Sequence, residues 1–398
     1  MRGKQKIHIT ILLENRVYPD DPRVKPHAEC LHESGYDVTV ICPGTEKGFA
    51  VYEVINGINV YRFPLFAAHR TVSSYFVETV TGIFFLTLMM FWAWMRHGMD
   101  ILLCYNPPDI AFIVGFIPKI MGKKIVFDVR DIAPELYQVK FHKEKSPIVS
   151  LLRWMEYLSC RVANHIMTVN ESYRQILQTR NGIPDNCITV IRQGPDLNLI
   201  HPTEPDAELR GRASTILAYL GNMSIQDGVE HLLYALREID SCDGKQDWFC
   251  VLIGEADEPE YLSNLAVNLG IADRVCYMGY LPYHKWVPLL SAADICVEPA
   301  PENAINSIST MNKIMDYMAL GKPCVAYDLP EHRVTAADTA LYARPNDPKD
   351  LARLIYYLID HPEERKRLGA LGRERVEKEL ALVYQKSKLQ ELFGRLTR

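Results

Sequence analysis

The chain has 398 residues, of which 48% are hydrophobic and 23% charged, so it holds enough apolar material for two globular domains. Its formal net charge of −5 argues against general nucleic-acid binding, although the first half is mildly basic and the second half acidic. The ten cysteines are scattered, with no Cys-x-x-Cys pair and no Cys/His cluster. We therefore expect neither a disulfide framework nor structural zinc, and a reducing cytosol as the location.

The first half of the chain alternates apolar runs with helical patterns. The opening MRGKQKIHITILL is interpreted as a strand, because its apolar run is too short and too strand-like for a signal peptide. The runs that predict strands are IHITILL, DVTVIC, INVYRF, DILLCY, KIVFDV, HIMTV and ITVIR. Continuously apolar strands separated by helices are typical of a parallel sheet, so we predict an α/β domain over residues 1–195.

Residues 79–95, TVTGIFFLTLMMFWAWM, carry no charge and are rich in aromatic side chains. The segment is slightly short for a membrane-spanning helix, which needs about 20 apolar residues. A fully buried core helix would also be apolar on all sides. A helix lying on a membrane surface would place Trp92 and Trp94 near lipid head groups. The sequence leaves these three interpretations open.

The second half repeats the α/β pattern after a polar, proline-rich stretch. Residues 196–212 are predicted to be a linker. The following strand candidates are TILAYLG, FCVLIG, RVCYMG, ICVEPA, PCVAY and ALYAR. They predict a second Rossmann-like domain over residues 213–378, and residues 379–398 are predicted to form a helix that returns to the first domain.

The stretch STMNKIMDYMALGKP, residues 309–323, places charged side chains on a short helix. In a doubly wound sheet ligands bind beyond the carboxyl ends of strands, and a helix starting near Thr310 would offer free N–H groups to a phosphate there. Lys313 would add a positive charge, and Asp316 on the same face could accept hydrogen bonds from a ribose diol. The alternatives are a solvated face or a weak i,i+3 ion pair.

A second stretch, LAYLGNMSIQDGVEHLLYAL, contains a strand, a turn and a helix. Asp227 and Glu230 have the spacing of a capping box, so we interpret Asp227 as a helix cap. Gly221 and Asn222 are the functional candidates, because a glycine at the strand end lets a ligand approach the backbone closely.

The order of several motifs resembles glycosyltransferase family 4, whose members have the GT-B fold. In the second half these motifs are LGNMSIQDGVEHLLYAL, RVCYMGYLP, LLSAADICVEPAPEN, STMNKIMDYMALGKPCVAYDLPEHRV and TALYARPNDPKDLARLI. In the first half they are DPRVKPHAECLHESGYDVTVI, YNPPDIAFIVG, KIVFDVRDIAPELY, TVNESYRQIL and VIRQGPDL. The resemblance implies two Rossmann-like domains facing across a cleft, and transfer of a sugar from a nucleotide-activated donor with retention of configuration.

The resemblance assigns Asp316 to the second acid of the family's paired-acid motif, which holds the donor ribose. The first acid would fall at Ile308, so it is lost or moved. The family's diphosphate-binding Arg and Lys fall at Asn222 and Asp227, and we hypothesise that Lys313 supplies the missing charge. The predicted donor-binding residues are Gly221, Asn222, Gly254, Glu255, Tyr280, Leu281, Ser309, Thr310, Asn312, Lys313 and Asp316.

The motif FDVRDIAPELY has Arg130 where relatives often have His, and an arginine can only donate hydrogen bonds. The predicted catalytic residues are Asp128, Arg130, Asp131 and Glu135. The acids of this motif, Asp128, Asp131 and Glu135, are candidate bases that would take the proton of the acceptor hydroxyl. The alternative for each acid is a strand-end cap or a structural salt bridge. Arg23 is a candidate phosphate or acceptor ligand or a surface residue, and Glu171 is an acceptor ligand or a helix cap.

No Asp-x-Asp sequence or other metal-ligand spacing occurs, so we expect metal-independent donor binding and no cofactor. The leading hypothesis is a hexosyltransferase that acts on a lipid-linked glycan at the cytoplasmic membrane face, in contact with the membrane through residues 79–95. The alternatives are a nucleotide-sugar 2-epimerase of the same fold and a non-catalytic nucleotide-sugar binding partner. No nucleic-acid partner is expected.

Overall fold

The computed structural model describes residues 6–14, 16–45, 48–64, 72–141, 146–241 and 247–398. The chain divides into two compact units. The first contains Met1–Gln193 together with Gln385–Arg398, and the second contains Gly194–Tyr384. Each has its own sheet, which confirms an α/β fold with two Rossmann-like domains.

The first unit has a largely parallel sheet with the strand order β3-β4-β2-β1-β5-β6-β7-β8. Its described strands are β1 His8–Leu12, β2 Asp37–Pro43, β3 Tyr52–Ile55, β4 Ile58–Phe63, β5 Ile101–Tyr105, β6 Lys124–Val129, β7 His165–Thr168 and β8 Ile188–Val190. Its described helices are α1 Val24–Glu33, α2 Val72–His97, α3 Ala111–Val114, α4 Phe116–Ile120, α5 Ala133–Phe141, α6 Pro147–Val162 and α7 Glu171–Asn181.

Strand β3 was missed by the sequence analysis. It pairs antiparallel with β4, with Ile55 opposite Ile58. Asn56 and Gly57, which join the two strands, have φ angles of 50° and 82°. An Asn-Gly pair between two β-rich runs is a strong hairpin signal, so the sequence YEVINGINVY contained the information. The sheet is therefore mixed at this edge.

Helix α2 is neither a core helix nor a solvated one. Gly82, Leu86, Met90 and Ala93 are buried on one side of it, and Trp92 lies edge-on against Tyr61 of β4. The opposite side exposes apolar side chains to solvent; they are Val77, Val80, Phe84, Leu88 and Met95. Thr79–His97 is long and apolar enough to span a bilayer by length and composition, and its inner side packs on the sheet.

The second unit has a parallel sheet with the order β11-β10-β9-β12-β13-β14. Its described strands are β9 Thr215–Leu220, β10 Trp248–Ile253, β11 Val275–Tyr277, β12 Ile295–Glu298, β13 Cys324–Tyr327 and β14 Ala340–Ala343. Its described helices are α8 Ala207–Arg210, α9 Val229–Asp240, α10 Pro259–Leu269, α11 Tyr283–Ala292, α12 Asn312–Ala319, α13 Pro330–Ala336, α14 Pro348–Asp360 and α15 Pro362–Arg375.

The last helix, α16 (Leu382–Leu396), belongs mainly to the first unit. Its Leu389, Leu392 and Phe393 are buried in one core with side chains of β1 and α1, such as Ile9 and Leu31. The apolar spacing of LVYQKSKLQELFGRL therefore forms one buried face of an otherwise polar helix.

Strand order in the second unit fixes where a ligand can bind. The chain moves from β9 to β10 and β11 on one side, and then returns to β12 on the other side of β9. The loops after β9 and β12 therefore diverge and leave a crevice at the carboxyl ends of these strands. Helix α12 follows β12, so its amino end lies at this switch point.

Candidate active site

Three turns at the carboxyl edge of the second sheet are tied together by backbone hydrogen bonds. The N–H of Gly221 donates to Ile253 over 2.9 Å, the N–H of Gly254 donates to Gly279 over 2.9 Å, and the N–H of Met223 donates to Glu255 over 2.8 Å. These bonds order the predicted donor loops without any ligand.

Gly221 and Gly254 are required by close packing. They have φ angles of 140° and 142°, which residues other than glycine rarely adopt. A Cβ on Gly254 would lie 1.8 Å from the carbonyl oxygen of Gly221, and a Cβ on Gly221 would lie 2.8 Å from Cε of Lys313. The sequence predicted that a ligand approaches the backbone at Gly221; part of the space beside Gly221 is filled by the side chain of Lys313.

Helix α12 begins at Asn312, two residues later than expected, and no side chain caps its amino end. The residue at the cap position is Met311, whose side chain has no oxygen to accept from the first N–H groups. Ser309 and Thr310 precede the helix, and Thr310 Oγ1 is 3.2 Å from a carboxylate oxygen of Glu331. An uncapped amino end with its positive dipole favours an anion.

Lys313 is held by three side chains beside this amino end. Its Nζ lies 3.1 Å from Glu298 Oε2, 3.5 Å from Asp227 Oδ1 and 2.8 Å from the hydroxyl of Tyr219. The ammonium also lies 4.5 Å from the centre of the Tyr219 ring. The expected alternative of an ion pair between Lys313 and Asp316 is wrong, because the lysine points toward these other partners.

The environment keeps Lys313 protonated. Burial alone would lower the pKa of Lys313, but the negative charges of Glu298 and Asp227 and the nearby Tyr219 outweigh it and raise the pKa. One positive charge faces two carboxylates, so the cluster has no surplus positive charge. The lysine therefore neutralises acids close to the α12 amino end.

Glu298 and Tyr219 were missed by the sequence analysis. Glu298 is fully buried at the end of β12, and Tyr219 is fully buried in β9. A glutamate at the end of an otherwise apolar strand, as in ICVEPA, is a usable signal, because a buried acid is nearly always paired. Its partner could not be identified from spacing, since Lys313 lies in a different element.

Asp316 lies one turn beyond Lys313 on α12 and is half-buried. Burial raises the pKa of its carboxyl to about 7. Within the described part of the chain, no hydrogen bond or ion pair to its carboxylate is found. A half-buried acceptor without a partner, beside an uncapped helix end, fits the predicted contact with a ribose diol.

We predict that Asp316→Asn stabilises the unbound protein at high pH. The folded-state pKa is raised above the ordinary 3.8, so between about pH 4 and pH 7 the folded protein holds a proton that the unfolded chain releases. Stability contributed by the acid is therefore lost as pH rises through this window. Because the group is only half-buried, we expect the variant to gain about 1–2 kcal/mol near pH 8 and nothing near pH 4. Urea unfolding at the two pH values measures this, and equal stabilisation at both would contradict it.

Asp227 does not cap the predicted helix; it is the third residue of a short turn whose N-cap is Ser224. It ends a short 3-10 turn, Ile225–Asp227, in which its carboxylate accepts from the N–H of Ser224 over 3.1 Å and from the Ser224 hydroxyl over 2.6 Å. Helix α9 then begins at Val229, after Gly228. The proposed capping box with Glu230 is therefore wrong, and Ser224 is the true partner.

The remaining predicted donor loops are accessible. Asn222, Glu255 and Tyr280 are exposed, and Leu281 is half-buried against the core of this unit. The Asn222 carbonyl accepts from the Tyr219 hydroxyl over 2.5 Å, so its amide side chain projects from a fixed turn.

In the first unit, Arg23 and Asp128 form a buried ion pair. Arg23 donates from Nε and Nη2 to the two oxygens of Asp128 over 2.7 and 2.8 Å, and from Nη1 to the carbonyl of Ile191 over 2.8 Å. Both side chains are at most 1% exposed. The predictions of Asp128 as a base and of Arg23 as a ligand or surface residue are wrong for this structure, because the two groups satisfy each other away from solvent.

Two further predicted residues have structural partners. Arg130 donates to Asp21 over 2.9 Å, and Glu135 forms an ion pair with Arg180. For Glu135 the salt-bridge alternative is therefore the one found.

Glu171 is exposed in the first turn of α7. The cap of that helix is Asn170, whose side chain accepts from the N–H of Tyr173 over 2.8 Å. The cap interpretation of Glu171 is therefore wrong by one residue.

Asp131 is the candidate base that remains available. Its backbone is fixed by Asn106, which accepts from the Asp131 N–H over 3.2 Å and donates to its carbonyl over 2.7 Å. Its carboxylate is half-buried and has no hydrogen bond or ion pair among the described residues. Burial raises the pKa of Asp131, with Arg130 and Arg16 opposing the rise. A raised pKa suits a group that accepts a proton near neutral pH.

Metal ligands do not gather in the described residues, where no group of three or more His, Cys, Asp or Glu side chains could hold an ion. The nine cysteines in this part of the chain are unpaired.

Comparison with known families identifies the chemistry. The "Glycosyl transferase 4-like domain" family matches residues 22–194, and the "Glycosyl transferases group 1" family matches residues 214–361. Together the two matches cover most of the chain. The chain is a group 1 glycosyltransferase.

An uncharacterized glycosyltransferase of Methanocaldococcus jannaschii is 23% identical over 82% of this glycosyltransferase and 81% of its own length. The curated relatives that follow match over about half of their own length. Sucrose-phosphate synthase from Thermosynechococcus elongatus has a TM-score of 0.79 at 17% identity, over 98% of this chain and 99% of its own. Anabaena HepE in complex with UDP and glucose has a TM-score of 0.73 at 17% identity, over 98% and 100%. These likenesses confirm the GT-B fold.

Proposed function

We propose that this glycosyltransferase moves a hexose from a nucleoside-diphosphate donor to a lipid-linked glycan at the cytoplasmic face of a membrane, with retention of configuration. The observation that carries the donor half is the uncapped amino end of α12 beside the unpartnered carboxylate of Asp316. The first group suits a diphosphate and the second suits a ribose, and a nucleotide-sugar contains both. The structural neighbour HepE is described in complex with UDP-glucose.

The donor diphosphate would lie against the first N–H groups of α12, with Ser309, Thr310 and Asn312 beside it. Helix dipole and backbone N–H groups are fixed in place, so they stabilise negative charge on the leaving diphosphate without reorganisation. Lys313 contributes by neutralising Glu298 and Asp227, which would otherwise repel that charge.

The acceptor proton has two routes in this proposal. The leaving diphosphate can take the proton itself, in which case catalysis consists of positioning and electrostatic support. Asp131 is the protein group that suits the second route, because its carboxylate is unpartnered and its pKa is raised. No metal and no cofactor are required by either route.

The membrane part of the proposal depends on α2. Its outward side presents Val80, Phe84, Leu88 and Met95 to solvent along its length, while its inner side stays packed on the sheet. A helix with one face on the protein and one apolar face in solvent suits a bilayer surface. An acceptor carried on a lipid would then be delivered at that surface.

The proposed activity is tested by incubating the purified protein with UDP-, GDP-, dTDP- and ADP-sugars, with and without a lipid extract of the source organism. We expect one nucleotide to raise the melting temperature, since ligand at 100 times its Kd stabilises by about 2.7 kcal/mol. We expect nucleoside diphosphate and a glycosylated lipid only when the extract is present. An altered sugar from donor alone would instead indicate an epimerase, and binding without any product would indicate a non-catalytic partner.

A further inference from the structure

Apolar side chains of α4 and α6 form a second exposed surface on the first unit. We call these side chains together the α4–α6 patch; its members are Phe116, Ile117 and Ile120 of α4, Met121 directly after α4, and Leu151 and Trp154 of α6, and helix α3 lies in contact with both helices. Ile120 is 70% exposed and Met121 60% exposed. Nothing in the proposed chemistry uses these residues.

Folding of the first unit does not explain the patch. The inner sides of the same helices are already buried through other residues, among them Pro118 of α4 and Val149, Ser159 and Cys160 of α6. Single exposed apolar residues are common on soluble proteins, but a group of large ones on neighbouring helices marks an interaction surface.

The charges beside the patch are basic. Arg153 and Arg161 are exposed on α6, and Lys119 is half-buried on α4. The acid of α6, Glu156, is buried and held by Arg180 and so contributes little negative charge at the surface. Helices α3 and α4 contain no acidic residue. An apolar surface with a basic border is complementary to an anionic one.

The patch lies on the same face of the sheet as α2. The connections β4–α2–β5, β5–α4–β6 and β6–α6–β7 all run in one direction across the sheet, and right-handed crossovers place such helices on one side. The strand pairings agree. Tyr61, which contacts Trp92 of α2, is in register with Ile41, Leu12, Cys104 and Phe127 on successive strands. Ile125, two residues before Phe127 and so on the same side of the sheet, lies under Gly115, the residue before α4. One flat surface could therefore contact both.

We propose that the α4–α6 patch docks on the surface of an anionic lipid bilayer, together with the exposed side of α2. The proposal rests on the membrane-face part of the proposed function and extends it by a second contact, which would fix the orientation of the first unit on the membrane. Large apolar side chains enter the interfacial region, and the arginines and Lys119 lie at the level of anionic head groups.

The test is vesicle co-flotation of the full chain with phosphatidylcholine alone and with added phosphatidylglycerol, at low and high salt. The wild type should bind vesicles with phosphatidylglycerol more tightly than vesicles of phosphatidylcholine alone. This difference in affinity should shrink at high salt, because salt screens the attraction between the basic residues and the anionic head groups. Ile120→Ser/Met121→Ser should weaken vesicle binding about tenfold, because the variant has two fewer apolar side chains to bury in the bilayer. The matched control, Val267→Ser/Val334→Ser, removes two exposed apolar residues from the second unit and should bind as the wild type.

Three results would overturn the proposal. They are no binding by the wild type, equal binding by the wild type and the Ile120→Ser/Met121→Ser variant, and a concentration-dependent dimer that this variant abolishes, which would make the patch a subunit interface. Thermal unfolding shows whether the variant is folded. Transferase activity on an acceptor dissolved in detergent separates the two proposals. If vesicle binding depends on the patch but neither the wild type nor any variant transfers sugar, only the proposed activity is wrong.

Discussion

Replacing Arg23 by methionine should lower the unfolding free energy of the first unit by about 3–5 kcal/mol. The substitution leaves the carboxylate of Asp128 fully buried without its positive partner and also removes the hydrogen bond to Ile191. Desolvation of an unpaired charge is the largest penalty available in this unit. Peptide-level hydrogen exchange in β6, followed in increasing urea, reports the unfolding of this unit separately from the second.

Two controls make this prediction specific. Arg23→Met/Asp128→Leu removes both charges, and an apolar pair of similar volume should recover most of the lost stability. Lys6→Met breaks the exposed Lys6–Asp37 pair, whose 3.6 Å contact in water contributes at most about 1 kcal/mol. Equal losses in Arg23→Met and Lys6→Met would show that the buried pair is not formed.

The second large effect is expected at Lys313. In Lys313→Met, the buried Glu298 and the half-buried Asp227 face each other without a cation, so the second unit should lose about 3–5 kcal/mol. Nucleotide affinity should also fall at least tenfold, because two uncompensated carboxylates lie near the proposed diphosphate position. Urea unfolding and calorimetric titration with the nucleoside diphosphate measure the two effects.

The two effects can be separated by a second substitution. Glu298→Gln/Lys313→Met removes one of the unpaired acids and should recover part of both the stability and the affinity. Lys285→Met, an exposed lysine of the same unit, should change neither. Unchanged nucleotide affinity in Lys313→Met would exclude the lysine from the donor site.

Much of the fold could be predicted from the sequence because the strands of a buried parallel sheet are continuous apolar runs. KIVFDV and INVYRF coincide with β6 and β4. Strand β3 was missed because half-buried edge strands have a weaker apolar signal, although its Asn-Gly turn was visible. The environment of helix α2 could not be predicted from composition, because apolar residues occupy both the side that packs on the sheet and the side that is exposed to solvent.

The candidate site was harder to predict, because pairing is decided by tertiary structure. Asp128 lies near the end of β6 and Arg130 directly follows that strand, yet Asp128 is paired with Arg23 and Arg130 with Asp21, both far away in the sequence. Nothing local distinguishes Asp131 as the acid left unpaired. Similarly, the sequence predicted Lys313 as a donor-binding residue, but it could not predict the carboxylates that contact Lys313, because they lie in two other elements.

We propose that a nucleotide-sugar binds with its diphosphate at the amino end of α12 and its ribose at Asp316. The most direct measurement is a crystal structure with the nucleoside diphosphate that stabilises the protein most. We expect diphosphate oxygens within hydrogen-bond distance of the first N–H groups of α12, with both ribose hydroxyls on the Asp316 carboxylate. A nucleotide bound elsewhere on the second unit, with the α12 amino end unoccupied, would contradict it.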